Sequence, residues 1–173
     1  MNVMEAVETR QSVRAYEDKP VEPEKLERIL EAARLAPSAK NRQEWRFIVV
    51  QDEARRRALV EAANGQSFVG EAPVVIAACG VDTEYRMPCG HPAFSIDVAI
   101  ALEHIALQAC EEGLGTCWIG AFNEAKVKEI LGVPEDVCVV ELMPLGYPAD
   151  EPRPKSRMAM AEIAMREEWG KPW

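Results

Sequence analysis

Three stretches of this sequence join side chains that can hold an anion to residues that turn the chain. The first is Arg10-Gln11-Ser12-Val13-Arg14. No acid lies between Glu8 and Glu17 to neutralise either arginine, in a chain whose 29 Asp and Glu outnumber its 20 Lys and Arg. A phosphate would supply the missing partner, since guanidinium offers fork-shaped donors and serine a hydroxyl. Two solvated arginines at a helix end account for the same residues, because the helix dipole favours cations there. The second stretch, Pro37-Ser38-Ala39-Lys40-Asn41-Arg42-Gln43-Glu44-Trp45, reads as a polar loop between a helix and a strand. It is dense in groups that hydrogen-bond ring amides and phosphates. An ordinary surface loop with Trp45 plugging the core is the alternative. The third is Lys155-Ser156-Arg157, again with no acid between Glu151 and Glu162. Short basic surface runs are common, so this one says little alone.

Other chemistries lack their residues. Gly113-x-Gly115 follows a helix and has Trp118 where a dinucleotide fingerprint needs its third glycine. There is no Walker-type phosphate loop and no G-x-S-x-G elbow. The five cysteines form no C-x-x-C pair and have only two histidines to join them, which argues against a zinc site or a redox dithiol. Cys79, Cys110 and Cys138 sit in apolar runs and read as small core residues. His104 reads as a surface or interface residue, and Glu111 and Glu112 as a solvated helix end.

The elements that must carry these stretches follow from periodicity and caps. Val3, Ala6 and Val7 predict a short first helix. Pro23 opens a second through Leu26, Ile29, Leu30 and Ala33, which should stop before Pro37. Residues 47–50 and 73–79 read as buried strands, with a helix from Asp52 to about Ala63 between them. Ser95 is the expected cap of a long helix to about Glu112. Its polar residues Asp97, His104, Gln108 and Glu111 fall in a narrow stripe, so part of its apolar surface could meet another subunit. Gly113 and Gly115 end that helix. Residues 124–131 read as a short helix, 138–145 as a strand, 148–154 as an extended connector, and 158–165 as a last short helix. Strands do not alternate simply with helices, which favours an α+β fold.

At 173 residues, with 48% apolar and 28% charged residues, the chain reads as one globular domain spanning 1–173. No apolar run reaches the roughly 20 residues of a membrane span, and no secretory signal is visible. A cytoplasmic protein is expected. The net charge of -9 and pI near 4.9 argue against nucleic-acid binding, which needs a basic face. Composition and spacing alone reach a soluble anion-binding domain.

In this order, the segments resemble the FMN-dependent nitroreductase family. The resemblance runs from Arg10-x-Ser12-x-Arg14-x-Tyr16 through Pro37-Ser38-x-x-Asn41-x-Gln43-x-Trp45 and Gly113-Leu114-Gly115. It continues through Trp118-Ile119-Gly120-Ala121-Phe122 and Leu145-Gly146-Tyr147-Pro148 to Lys155-Ser156-Arg157. Glu44 departs from it, standing where the family more often has proline. The chain is also at the short end for the family, so a substrate-covering insertion of longer members is reduced or missing. The resemblance implies a mixed, mainly antiparallel sheet flanked by helices, in a homodimer with two FMN sites at the interface. It implies that Arg10, Ser12, Lys155 and Arg157 hold the phosphate, with Gln11 among the contacts, and that Arg14 lies by the pyrimidine edge. Pro37, Ser38 and Ala39 would come from the partner subunit, on a loop shaped by Asn41. Ile119, Gly120 and Ala121 would bring backbone N–H groups to the flavin, and Gln66 a polar contact. The implied activity is hydride transfer from NAD(P)H through FMN to a nitroaromatic or quinone, by a ping-pong route and with no side-chain acid or base. An FMN store or regulator without turnover is the second reading.

Overall fold

The local signals set most of the helices. A computed structural model describes residues 1–152 and 154–173; of the expected 148–154 connector, Arg153 lies outside the described residues. Helix α1 (Val3–Thr9) carries a capping box between Asn2 and Glu5, and α2 (Pro23–Arg34) has Pro23 in its first turn. Strand β1 (Trp45–Val50) leads to α3 (Glu53–Ala62), whose first turn is capped by the Asp52 carboxylate accepting from Arg55 N at 2.9 Å. A four-residue helix, α4 (Phe68–Glu71), precedes β2 (Val74–Gly80). Helix α5 (Ala93–Glu111) is followed by β3 (Gly115–Thr116), α6 (Glu124–Leu131), β4 (Cys138–Gly146) and α7 (Met160–Ile163).

The fold is α+β, as expected. The strands form one sheet in the order β1-β2-β4-β3, and every pairing in it is antiparallel. A single parallel bridge, Ser12 to Thr116, adds the chain entry at the β3 edge. Strand β2 is central and buried along its whole length, so it reads as a continuous apolar run without alternation. One face of the sheet packs on α2 and α5 through Ile29, Leu102 and Ile105. The other packs Leu59, Val69 and Val127 from α3, α4 and α6.

Four expectations need correction. Ser95 does not cap α5. The helix starts at Ala93 after Pro92, and the Ser95 hydroxyl donates to the Pro92 carbonyl from inside the first turn. The apolar runs gave no membrane-length segment, yet α5 is long and apolar enough to cross a membrane by length and composition. In this fold its Ala101, Leu102 and Ile105 are wholly buried in the core. The last helix is shorter than expected, at Met160–Ile163, and its apolar side chains are left uncovered among the described residues: Met158, Met160 and Ile163 are exposed. Glu111 and Glu112 are not merely solvated. Glu111 accepts from the Met1 ammonium at 2.9 Å, and Glu112 takes both Arg28 donors at 2.6 and 2.7 Å.

Two glycines place the first chemical stretch. Gly113 ends α5 at φ +74°, a backbone state that glycine adopts without strain. At Gly115 a Cβ would lie 2.4 Å from Val13 Cγ2, so only hydrogen lets residues 10–16 lie flat on β3. Val13 N then donates to Thr116 O at 2.9 Å.

Candidate functional site

With Val13 pinned, its neighbours point away from the core: Ser12 and Arg14 are exposed and Arg10 is partly covered. Arg10 is not without an acid. Its Nε lies 3.9 Å from Glu103 Oε1 on α5, a partner some 90 residues away that local sequence cannot reveal. Lys155 arrives from the other end of the chain, its Nζ donating to the Glu8 carbonyl. Burial, then the charges of Arg10 and Arg157, hold the Lys155 ammonium below its usual pKa. The first and third basic runs therefore converge, and their cations repel one another. Among the described residues, Arg157 itself donates to the neighbouring Ser156 carbonyl, at 2.8 Å. A cavity of about 180 Å³ opens here, lined by Arg10, Gln11, Cys110 and Thr116 among others.

Beside this cradle lies Cys117, which is buried; of the three cysteines expected in the core, Cys79 is buried, while Cys110 and Cys138 are only partly covered. Burial raises the Cys117 pKa, against the opposing charge of Arg14 and a hydrogen bond with the Ser12 side chain. Ser12 and Arg14 are thus within reach of the chain that runs on to the next turn. Ile119 exchanges backbone hydrogen bonds with Leu142 at 2.9 and 3.1 Å, which fixes the turn that follows. Gly120 and Ala121 are exposed, and among the described residues neither N–H has a partner. The Ala121 carbonyl is held by Asn64 Nδ2 at 3.1 Å and Gln66 Nε2 at 3.3 Å. Gln66 is thereby tied to the turn.

The Pro37–Gln43 loop is built differently. Pro37 and Asn41 are exposed, and Ser38 and Ala39 are partly covered. Lys40, Asn41 and Gln43 take left-handed φ values of 52°, 55° and 54°, which are costly for residues bearing a Cβ. Ala39 N donates to both oxygens of the buried Asp97 at 3.1 Å, and the Ser38 hydroxyl accepts from Gln43 N at 3.0 Å. Burial raises the Asp97 pKa, opposed by the Ala39 hydrogen bond and aided by Glu44. Arg42 bridges Glu44 and Asp82, and its guanidinium stacks 4.3 Å over the Tyr85 ring. Within one chain this loop is anchored on Asp97, whereas the cradle is anchored on Glu103. Asp97 and Glu103 sit six residues apart on α5, roughly 9 Å along the axis and on different sides.

The cations and the unpaired Gly120 and Ala121 donors fit a phosphate at one end of a ligand and ring acceptors at the other. Sequence reasoning missed Asp97, Glu103 and Cys117 as supports. Asp97 carried a signal, being a lone acid in the apolar first half of α5.

The family model described as the Nitroreductase family matches residues 7–67 and 60–147. The chain belongs to the nitroreductase family. It is similar to an NADH dehydrogenase of Thermus thermophilus, 35% identical over 187 aligned positions that cover 90% of this chain and 91% of that one. It is also similar to an FMN reductase [NAD(P)H] of Bacillus subtilis, 31% identical and covering 95% of this chain and 73% of the relative. Among solved structures, a nitroreductase family protein of Clostridium difficile 630 superposes with a TM-score of 0.88 at 35% identity, covering 97% of this chain and 99% of that one.

Proposed function

We propose that this nitroreductase-family chain is an FMN-dependent NAD(P)H oxidoreductase that passes two electrons to a small quinone or nitroaromatic acceptor. One observation carries the reading: Arg10, Lys155 and Arg157 converge from opposite ends of the chain although their charges repel, which suits a site whose ligand brings a dianion. The Bacillus subtilis relative, named as an FMN reductase using NAD(P)H, supports the same cofactor and donor.

Arg10, Ser12, Lys155 and Arg157, with Gln11 beside them, hold the FMN phosphate in this reading. Arg14 lies by the ring's pyrimidine edge, where a fixed guanidinium favours the more negative redox state. The N–H groups of Gly120 and Ala121, set by Ile119 and by Gln66 on the Ala121 carbonyl, donate to ring acceptors. FMN supplies the hydride chemistry when bound, and the protein supplies placement and electrostatics. No side chain has to move a proton for hydride transfer itself. Donor and acceptor use one open ring face in turn, which gives ping-pong kinetics.

A second copy of the chain completes the site. The 180 Å³ cavity by Arg10 is smaller than the roughly 300–1,000 Å³ of ordinary cofactor pockets. Pro37, Ser38, Ala39 and Asn41 then close the flavin from the partner. The apolar surface that a dimer would cover is present: Ile96 on α5 is 41% exposed, and Trp169 and Trp173 in the C-terminal arm are 93% and 71% exposed.

The test is steady-state oxidation of NADPH and NADH by purified protein with menadione or a nitrofuran. Turnover with parallel double-reciprocal lines is expected. A yellow protein that oxidises neither donor is an FMN store or regulator, and one that stays colourless after FMN is added refutes the reading.

A further inference from the structure

Glu141 is the one acid in β4, an otherwise apolar strand, and it faces Ala78 of β2 across the sheet. The side chain is half-buried, and no hydrogen bond or ion pair among the described residues reaches its carboxyl group. What it meets is the turn after Ile119. A Cβ built on Gly120 would stand 3.4 Å from Glu141 Oε2 and 3.6 Å from Oε1, so the carboxyl group lies against the glycine itself. Even a methyl group at 120 would rest directly on the carboxyl oxygens, in van der Waals contact. The charge of Glu141 also acts on the Cys117 thiol, raising its pKa.

We propose that Glu141 is a positioning residue of the Gly120–Ala121 turn, setting both where the turn holds its two N–H donors and the potential at the ring bound there. This rests on the reading of that turn as flavin-binding. A half-buried carboxyl group without a partner prefers to stay neutral, and burial does raise the Glu141 pKa. The groups facing it from adjoining elements do not offset a charge there. Cys117 precedes the turn and Arg14 lies by that thiol, while Cys79 and Cys138 are coupled to Glu124 and Lys128 instead. Once ionised, Glu141 opposes any added negative charge on the neighbouring ring. Reduction of the ring and loss of the Glu141 proton therefore work against each other.

The experiment is spectroelectrochemical titration of the FMN-loaded protein from mildly acidic to mildly alkaline pH, for wild type, Glu141→Gln and Glu141→Ala. The wild-type midpoint potential should bend downward through a pKa above the ordinary glutamate range, and both variants should lack the bend. At the alkaline end Glu141→Gln should favour the reduced form by about tenfold, which is about 30 mV for two electrons. Glu141→Ala, which also removes the bulk against Gly120, should in addition change the circular dichroism of the bound flavin. A bend retained in either yellow variant removes Glu141 alone and leaves the flavin reading intact. Variants that bind no FMN at all would make Glu141 a purely structural residue and overturn the proposal. Wild-type protein that takes up no FMN sinks both claims.

Discussion

The cradle at Arg10 and the loop at Pro37–Gln43 serve one ligand in the proposed site, yet they are held by opposite means. The cradle gathers like charges that repel and ties them weakly: a 3.9 Å contact from Arg10 to Glu103, and a Lys155 bond to the Glu8 carbonyl. The loop carries little charge at its ring-facing residues. It spends backbone strain at Lys40, Asn41 and Gln43 and is locked by the buried Asp97. In the proposed site the cradle gains its stability from the bound anion, whereas the loop is tied down within the chain itself. Affinity should respond to changes in the cradle and folding stability to changes in the loop.

The largest effect should come from the cradle. Arg157→Ala removes a charged donor to phosphate, worth roughly 1.5–3 kcal/mol, or about 10- to 150-fold in FMN affinity. Fluorescence titration should show riboflavin binding unchanged, and equal losses for both ligands would remove the phosphate contact.

Asp97→Ala should show the reverse pattern. It strands the Ala39 N–H beside a strained loop, at a cost of about 1–3 kcal/mol of unfolding free energy in urea. Wild-type stability also has a definite pH sign here. Because the folded Asp97 pKa is raised by burial, the native state binds more protons between the ordinary aspartate pKa and the raised one. This group's contribution is fully present below the ordinary value and is lost as pH rises through the raised one. Asp97→Asn should flatten that part of the stability–pH curve, and an unchanged curve would break the comparison.

Arg14→Ala should lower the flavin midpoint potential by about 30 mV, the two-electron equivalent of roughly 1.4 kcal/mol. An unchanged potential would move Arg14 away from the ring. The smallest effect is the most discriminating. Lys155→Met should weaken FMN while leaving the FMN-free protein as stable as wild type, or more stable by up to about 0.5 kcal/mol, because it relieves repulsion from Arg10 and Arg157. A loss of ligand-free stability would show that the cradle, too, is prebuilt.

The contrast also explains how much could be read from residues alone. Helix α6 was legible at both ends because its signals are local: Asn123 caps it by accepting from Lys126 N at 3.1 Å, and the apolar period stops at Leu131. Helix α2 was legible for the same reason, through Pro23 and the approach to Pro37. Helix α4 has four residues and no side-chain cap, and β3 is two residues defined only by its partner β4, so neither has a local signature. The basic runs stood out because acids are missing nearby in sequence. Their supports did not, since Glu103, Cys117 and Asp97 become neighbours only through the fold. Glu141 did leave a trace, as a single charge in an apolar strand, but its relation to Gly120 depends on the register of Ile119 against Leu142.

The central claim is that one FMN binds per chain, with its phosphate in a cradle of Arg10, Lys155 and Arg157 and its ring closed by a second copy. Sedimentation equilibrium of the FMN-saturated protein, followed at both the protein and the flavin absorbance bands, measures stoichiometry and assembly together. The account predicts a two-chain species carrying one FMN per chain. A single-chain species, or flavin absorbance that fails to sediment with the protein, would contradict it.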